Sequence, residues 1–293
     1  MLSFPTDPVQ HVYLTALVVH PDGERYRLTS ASYLGSTFFG PAMAAVVPGT
    51  TPVRRLKDEV LPDQDGLPQC RVVWLLEGDG EGDGWLTPDA LPSDAQVWAR
   101  TALAPDPARR PHWQRRGGWA SLMAWLDTEL AAQGLERLGV PQVRKDWGIS
   151  FLARVDTRSG AVYLKAVPDF FLREVAVTCA LQHQRPGAAA PLLAADTARG
   201  LMLMRDAGVP LENGASGRAP PSPQGSGWTM GDSCALMRHL AGVQRDAETL
   251  PLLRTLPDHG PEWVLGHLPA LLDGSLFRTG RPEGLTSELD FGH

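Results

Sequence analysis

Two residues of opposite charge, Lys165 and Glu174, stand nine positions apart on segments that read as different elements. Lys165 closes the apolar alternation Ala161-Val-Tyr-Leu-Lys165, a strand pattern, and Glu174 follows Phe170-Phe-Leu-Arg at the start of a helical pattern. A lysine on a strand can hold phosphate oxygens with its compact ammonium charge. Its long side chain is entropically costly to fix, and a carboxylate offered from the next helix would hold it in one pose. The bland alternative is a solvated strand lysine, with Glu174 facing water beside Arg173.

The elements that must position this pair are legible as a strand-turn-strand unit. Ser150-Phe-Leu-Ala-Arg-Val155 alternates, Asp156 to Gly160 carries turn residues, and Ala161 to Ala166 alternates again. Asp169 stands where a helix N-cap is expected, and the helix it opens runs to about Gln184. Short strands are predicted at Pro191 to Ala195 and Leu201 to Met204, giving the order β-β-α-β-β before Arg205-Asp-Ala-Gly208.

That order, with its strand lysine and helix glutamate, resembles the amino-terminal lobe of aminoglycoside-phosphotransferase-like enzymes, relatives of the protein kinases. The resemblance covers roughly Pro111 to Leu289. It rests on Trp119 after two glycines, Ser150 and Arg154, Tyr163-Leu-Lys165-Ala, Glu174, Pro191, and Leu203-Met-Arg-Asp206-Ala-Gly208, with Leu271-Leu272 and Gly284-Leu-Thr286 further on. The resemblance implies ATP or GTP with Mg2+ in a cleft. Lys165 would contact the α/β-phosphates and Glu174 would orient it. The turn around Ser150 would cover the phosphates, and backbone groups at Arg205, Asp206 and Ala207 would meet the purine edge. The chain departs from the pattern as well. Its first turn has one glycine, not a Gly-x-Gly-x-x-Gly cradle, and no His-x-Asp-x-x-x-x-Asn stretch occurs anywhere. Asp290-Phe-Gly292 spells a metal-binding tripeptide without the surrounding context that gives such a motif meaning. The expectation is a truncated phosphotransferase homologue, inactive alone, with a missing carboxy-terminal lobe. Its rival is a non-catalytic module that senses nucleotide or binds a protein partner.

The rest of the chain reads as an added domain and connectors. The 293 residues are 43% hydrophobic and 20% charged, enough for a sizeable core. The expected class is α+β. A small amino-terminal mixed α/β domain over 1–110 precedes an amphipathic connecting helix within 111–141, marked by Trp119, Leu122, Met123, Leu126 and Leu130. The nucleotide-binding lobe spans 142–211, a Gly/Pro/Ser-rich linker 212–228, and a helical remnant 229–293. In the first domain a hairpin is expected from His11–His20 into Tyr26–Leu28, and a second pair of strands from Cys70–Leu76 to Trp85–Leu86. Pro48 to Val60 resembles part of a Nudix hydrolase box, which needs a helix carrying several magnesium-binding glutamates where this chain offers Glu59. That gives a further alternative, a Nudix-like hydrolase. Asp79 to Gly84 matches the first half of a calcium loop, but Ala90 stands where its closing glutamate belongs.

Charge and cysteine content narrow the partners. A net charge of −6 disfavours nucleic acid. The three cysteines show no Cys-x-x-Cys spacing, which argues against a disulfide framework or zinc site and suits a reducing cytoplasm. No apolar run is long enough to span a bilayer, so no membrane is expected. His239 is expected at a core or boundary position on a late helix.

Overall fold

The computed structural model describes residues 10–64, 67–79, 84–103, 110–207 and 230–247. Among the described residues the fold is α+β, with two sheets. In the first, β1 (Gln10–Val19) pairs antiparallel with β2 (Tyr26–Gly35). After the short helix α1 (Pro41–Val46), β3 (Thr51–Gln64) and β4 (Leu67–Glu77) form a second antiparallel pair. β4 lies parallel to β1, so the order is β2-β1-β4-β3. Helix α2 (Ser93–Leu103) adds Ala95 and Ala99 to a buried cluster with Leu17, Val19, Tyr26 and Leu75.

The second sheet follows α3 (Gly118–Ala132). It contains β5 (Gln142–Trp147), β6 (Ser150–Thr157), β7 (Gly160–Ala166), then α4 (Leu172–Gln184), β8 (Leu192–Asp196) and β9 (Leu201–Arg205). All neighbouring pairs are antiparallel, in the order β5-β6-β7-β9-β8. The turn after β7 contains a 3-10 helix, Asp169–Phe171. Helix α5 (Met230–Ala247) reaches α4 through the Arg185–Asp246 ion pair at 2.5 Å.

The two sheets share one core. Alternate residues of each sheet face α3, which buries Trp119, Leu122, Trp125, Leu126 and Leu130. Val12, Leu14, Trp74 and Leu76 from the first sheet and Phe151, Ala153, Leu164 and Leu203 from the second belong to the same continuous apolar cluster. Aromatic edges tie it together, with Trp119 at 5.3 Å from Phe39 and 6.4 Å from Phe151 between ring centroids. The expected apolar stripe of the connecting helix therefore packs on its own chain. Backbone bonds cross as well: the Val143 N–H donates to the Phe39 carbonyl at 3.0 Å.

Several sequence expectations need correction. Pro48 to Val60 is largely strand β3 and not the helix a Nudix box requires; its residues pair with β4, and Glu59 meets Arg71 at 3.2 Å. Trp85-Leu86 forms no strand, only an isolated antiparallel bridge in which Leu86 and Tyr26 exchange their two backbone hydrogen bonds. Asp169 does not cap α4. The chain leaves β7 through the 3-10 helix, with the Phe171 N–H on the Pro168 carbonyl, so Phe171 takes the cap position. β5 was not anticipated, since its polar residues Arg144, Lys145 and Asp146 hide a strand that only pairing with β6 reveals. His239 is exposed on α5. The linker at 212–228, most of the 79–84 loop, Leu271-Leu272, Gly284 to Thr286 and Asp290-Phe-Gly292 lie outside the described residues.

Candidate functional site

β7 is the central strand that presents Lys165. Leu152 of β6 stands opposite Lys165 on one side and Met202 of β9 on the other. Strand alternation sends Val162, Leu164 and Ala166 into the shared core, and Tyr163 and Lys165 to the opposite face. On that face α4 packs through Val175 and Cys179 against Val167, Met202, Met204 and Leu192. This separate, smaller apolar cluster fixes the helix over the strand. Glu174 lies in the first turn of α4, where a carboxylate also favours the helix dipole.

Lys165 Nζ and Glu174 Oε1 form a direct ion pair. Their side chains are 27% and 39% exposed, so the pair sits at a partly wet edge and adds little to stability in its own right. What it supplies is orientation: the ammonium is held beside a cavity of about 250 Å³. Ser150, Lys165, Arg205 and Ala207, four of the nominated residues, line that one cavity, together with Lys145 and Tyr163. Glu174 stands behind the lysine and does not line it. Asp206 faces a neighbouring cavity of about 480 Å³, with Arg154 and Thr157.

Lys145, Tyr163 and Met204 are cavity residues that the sequence pattern does not single out for this role. Lys145 lies on the unanticipated β5, with its ammonium 4.5 Å from the centre of the Trp147 ring. Tyr163 was within reach of the sequence, because residues two apart on a strand share a face with Lys165. Burial pushes the Tyr163 hydroxyl above its ordinary pKa and the Asp206 carboxylate pushes it further, while Arg154 and Arg144 pull it back. The phenol is therefore neutral through the physiological range.

The arrangement can do specific chemistry. Two ammonium groups, Lys145 and Lys165, stand on one face with a serine hydroxyl at a two-residue turn, next to an apolar wall of Leu152 and Met204. That combination can take a flat, partly apolar group with an anionic end. The cavity is below the roughly 300–1,000 Å³ typical of sites that enclose a drug-sized ligand, so it fits a base-sized moiety with its charged end over the lysines. Comparison with protein-family models, with curated proteins and with solved structures finds no match for this chain.

Proposed function

We propose that the face of the second sheet carrying α4 binds a purine nucleotide, ATP or GTP with Mg2+, in the manner of the amino-terminal lobe of aminoglycoside-phosphotransferase-like enzymes. The observation that carries this reading is the Lys165–Glu174 pair beside a cavity that also gathers Ser150, Arg205 and Ala207. The sheet order β5-β6-β7-β9-β8, with α4 between β7 and β8, supports it by putting strand lysine and helix glutamate on one face. Lys165 meets the α/β-phosphates, Glu174 holds Lys165, and the backbone from Arg205 to Ala207 meets the base. Among the described residues no carboxylate lines the cavity, so these residues fit the nucleotide and offer no carboxylate ligand to the magnesium, which would be carried by the phosphates.

Binding without turnover is the expected behaviour of this chain alone. Phosphoryl transfer needs a positioned base and metal ligands, and the sequence has no His-x-Asp-x-x-x-x-Asn stretch to supply them. The place of action that suits the composition is the cytoplasm; among the described residues no helix is long and apolar enough to cross a membrane. One observation favours the protein-interaction reading instead: α5 exposes Met237 and Leu240.

Calorimetric titration of the whole chain with ATP, GTP and magnesium, beside Lys165→Ala, tests the proposal. Saturable binding that weakens at least about tenfold in the variant supports it, as loss of a charge-assisted hydrogen bond requires. A folded wild-type chain that binds neither nucleotide overturns it.

A further inference from the structure

A second cavity, of about 290 Å³, lies where the two sheets meet, between the β2–α1 connection and β5. Its walls are apolar on one side, with Phe38, Phe39 and Met43, and on the other they carry Arg144. Among the described residues no acidic side chain lines it.

Arg144 reaches this cavity because β5 is irregular. The pairing of β5 with β6 shifts between Val143 and Lys145, leaving Arg144 as the extra residue of a bulge. Bulges re-aim side chains out of the regular alternation and are common beside functional sites. Here Val143 enters the core, Lys145 faces the nucleotide cavity, and Arg144 faces the interface between the sheets.

The guanidinium is left unbalanced. Its Nη2 donates to Gln142 Oε1 at 2.9 Å, a neutral partner. Its Nε is buried and has no hydrogen-bond partner among the described residues. Arg55 lies on the same side, 4.9 Å from the centre of the Phe38 ring, but it already meets Asp58 at 3.5 Å. A buried guanidinium N–H without an acceptor is costly, and a guanidinium's fork of donors matches a carboxylate in two parallel bonds.

We propose that this cavity is a binding site for a small organic carboxylate with an apolar body, its carboxylate on Arg144 and its body against Phe38 and Met43. The ligand would bridge the two sheets and complete the hydrogen bonding of Arg144. A carboxylate suits the site better than a phosphate ester, because one guanidinium and apolar walls would leave a dianion undercompensated.

The test uses the whole chain with benzoate and isovalerate as probes, and benzamide as the uncharged counterpart of benzoate. Binding is followed by calorimetry and by the 15N–1H signal of the Arg144 Nε–H. The expected result is saturable binding of at least one carboxylate, a shifted Nε–H signal, and affinity roughly ten- to a hundredfold weaker for benzamide and for Arg144→Gln. Should Arg144→Gln fail to fold, the comparison of benzoate with benzamide on the wild-type chain and the Nε–H signal decide. Failure of both carboxylates to saturate, equal binding of benzoate and benzamide, or an Nε–H signal that does not move overturns the proposal. Nucleotide binding at Lys165 is a separate readout and does not enter these outcomes.

Discussion

Replacing Asp146 should separate the role of its oxygen from that of its charge. Asp146 sits on β5 and faces the 3-10 helix His112–Gln114, which leads into α3. Its Oδ1 accepts two hydrogen bonds, from Trp113 Nε1 at 3.1 Å and Gln114 Nε2 at 2.9 Å. Burial pushes the carboxyl above its ordinary pKa; the Gln114 and Trp113 bonds and the Arg55 charge only partly oppose this. A carboxyl whose folded pKa is raised binds its proton more tightly in the folded state. Its favourable contribution is therefore complete below the unfolded pKa of about 3.9 and is lost as pH climbs through the folded value. Asp146→Asn keeps an acceptor oxygen for both donors and has no charge to bury. Thermal unfolding from pH 3.5 to 8 should show the variant gaining on wild type as pH rises, reaching a plateau above the folded pKa, and matching or exceeding it at pH 7. Asp146→Leu removes the acceptor instead. Trp113 is 3% exposed, so its stranded indole N–H costs about 1–3 kcal/mol, while Gln114 is half-buried and can turn to water. At about 2–4 °C per kcal/mol, the loss is roughly 2–12 °C in Tm. The reasoning fails if Asp146→Asn is destabilised at pH 7 as severely as Asp146→Leu, or if its advantage shrinks with rising pH. Either result would mean that the charge itself stabilises the fold, through Arg55.

Leu126, wholly buried on α3, touches the cluster that both sheets share. Leu126→Ala should cost about 2–5 kcal/mol and lower a single cooperative transition seen by both far-UV and tryptophan signals; two separated transitions would contradict one continuous core. Glu174→Gln should leave Tm nearly unchanged, since the pair is partly exposed, yet weaken nucleotide binding by up to about tenfold through a less fixed Lys165. A large drop in Tm with unaltered nucleotide affinity would make the pair structural.

What the sequence determined was local. The alternation of Ser150 to Val155 and of Ala161 to Ala166, the helical spacing of Trp119, Leu122, Leu126 and Leu130, and the placement of Lys165 and Glu174 on different elements follow from periodicity, which depends only on neighbours along the chain. The tertiary structure decided what periodicity cannot carry. β5 is a strand because β6 offers it an edge, despite Arg144, Lys145 and Asp146. Thr51–Gln64 is one long strand because β4 pairs with it along its length, which its charged sequence does not announce. The direct contact between Lys165 and Glu174, and the meeting of Lys165 with Ser150, Arg205 and Ala207 around one cavity, required β9 to come beside β7 and α4 to settle on Met202. Val143 and Lys145, two positions apart, face opposite sides because a bulge at Arg144 breaks the alternation between them, and a bulge is fixed by the partner strand's register and leaves no mark in the order of residues.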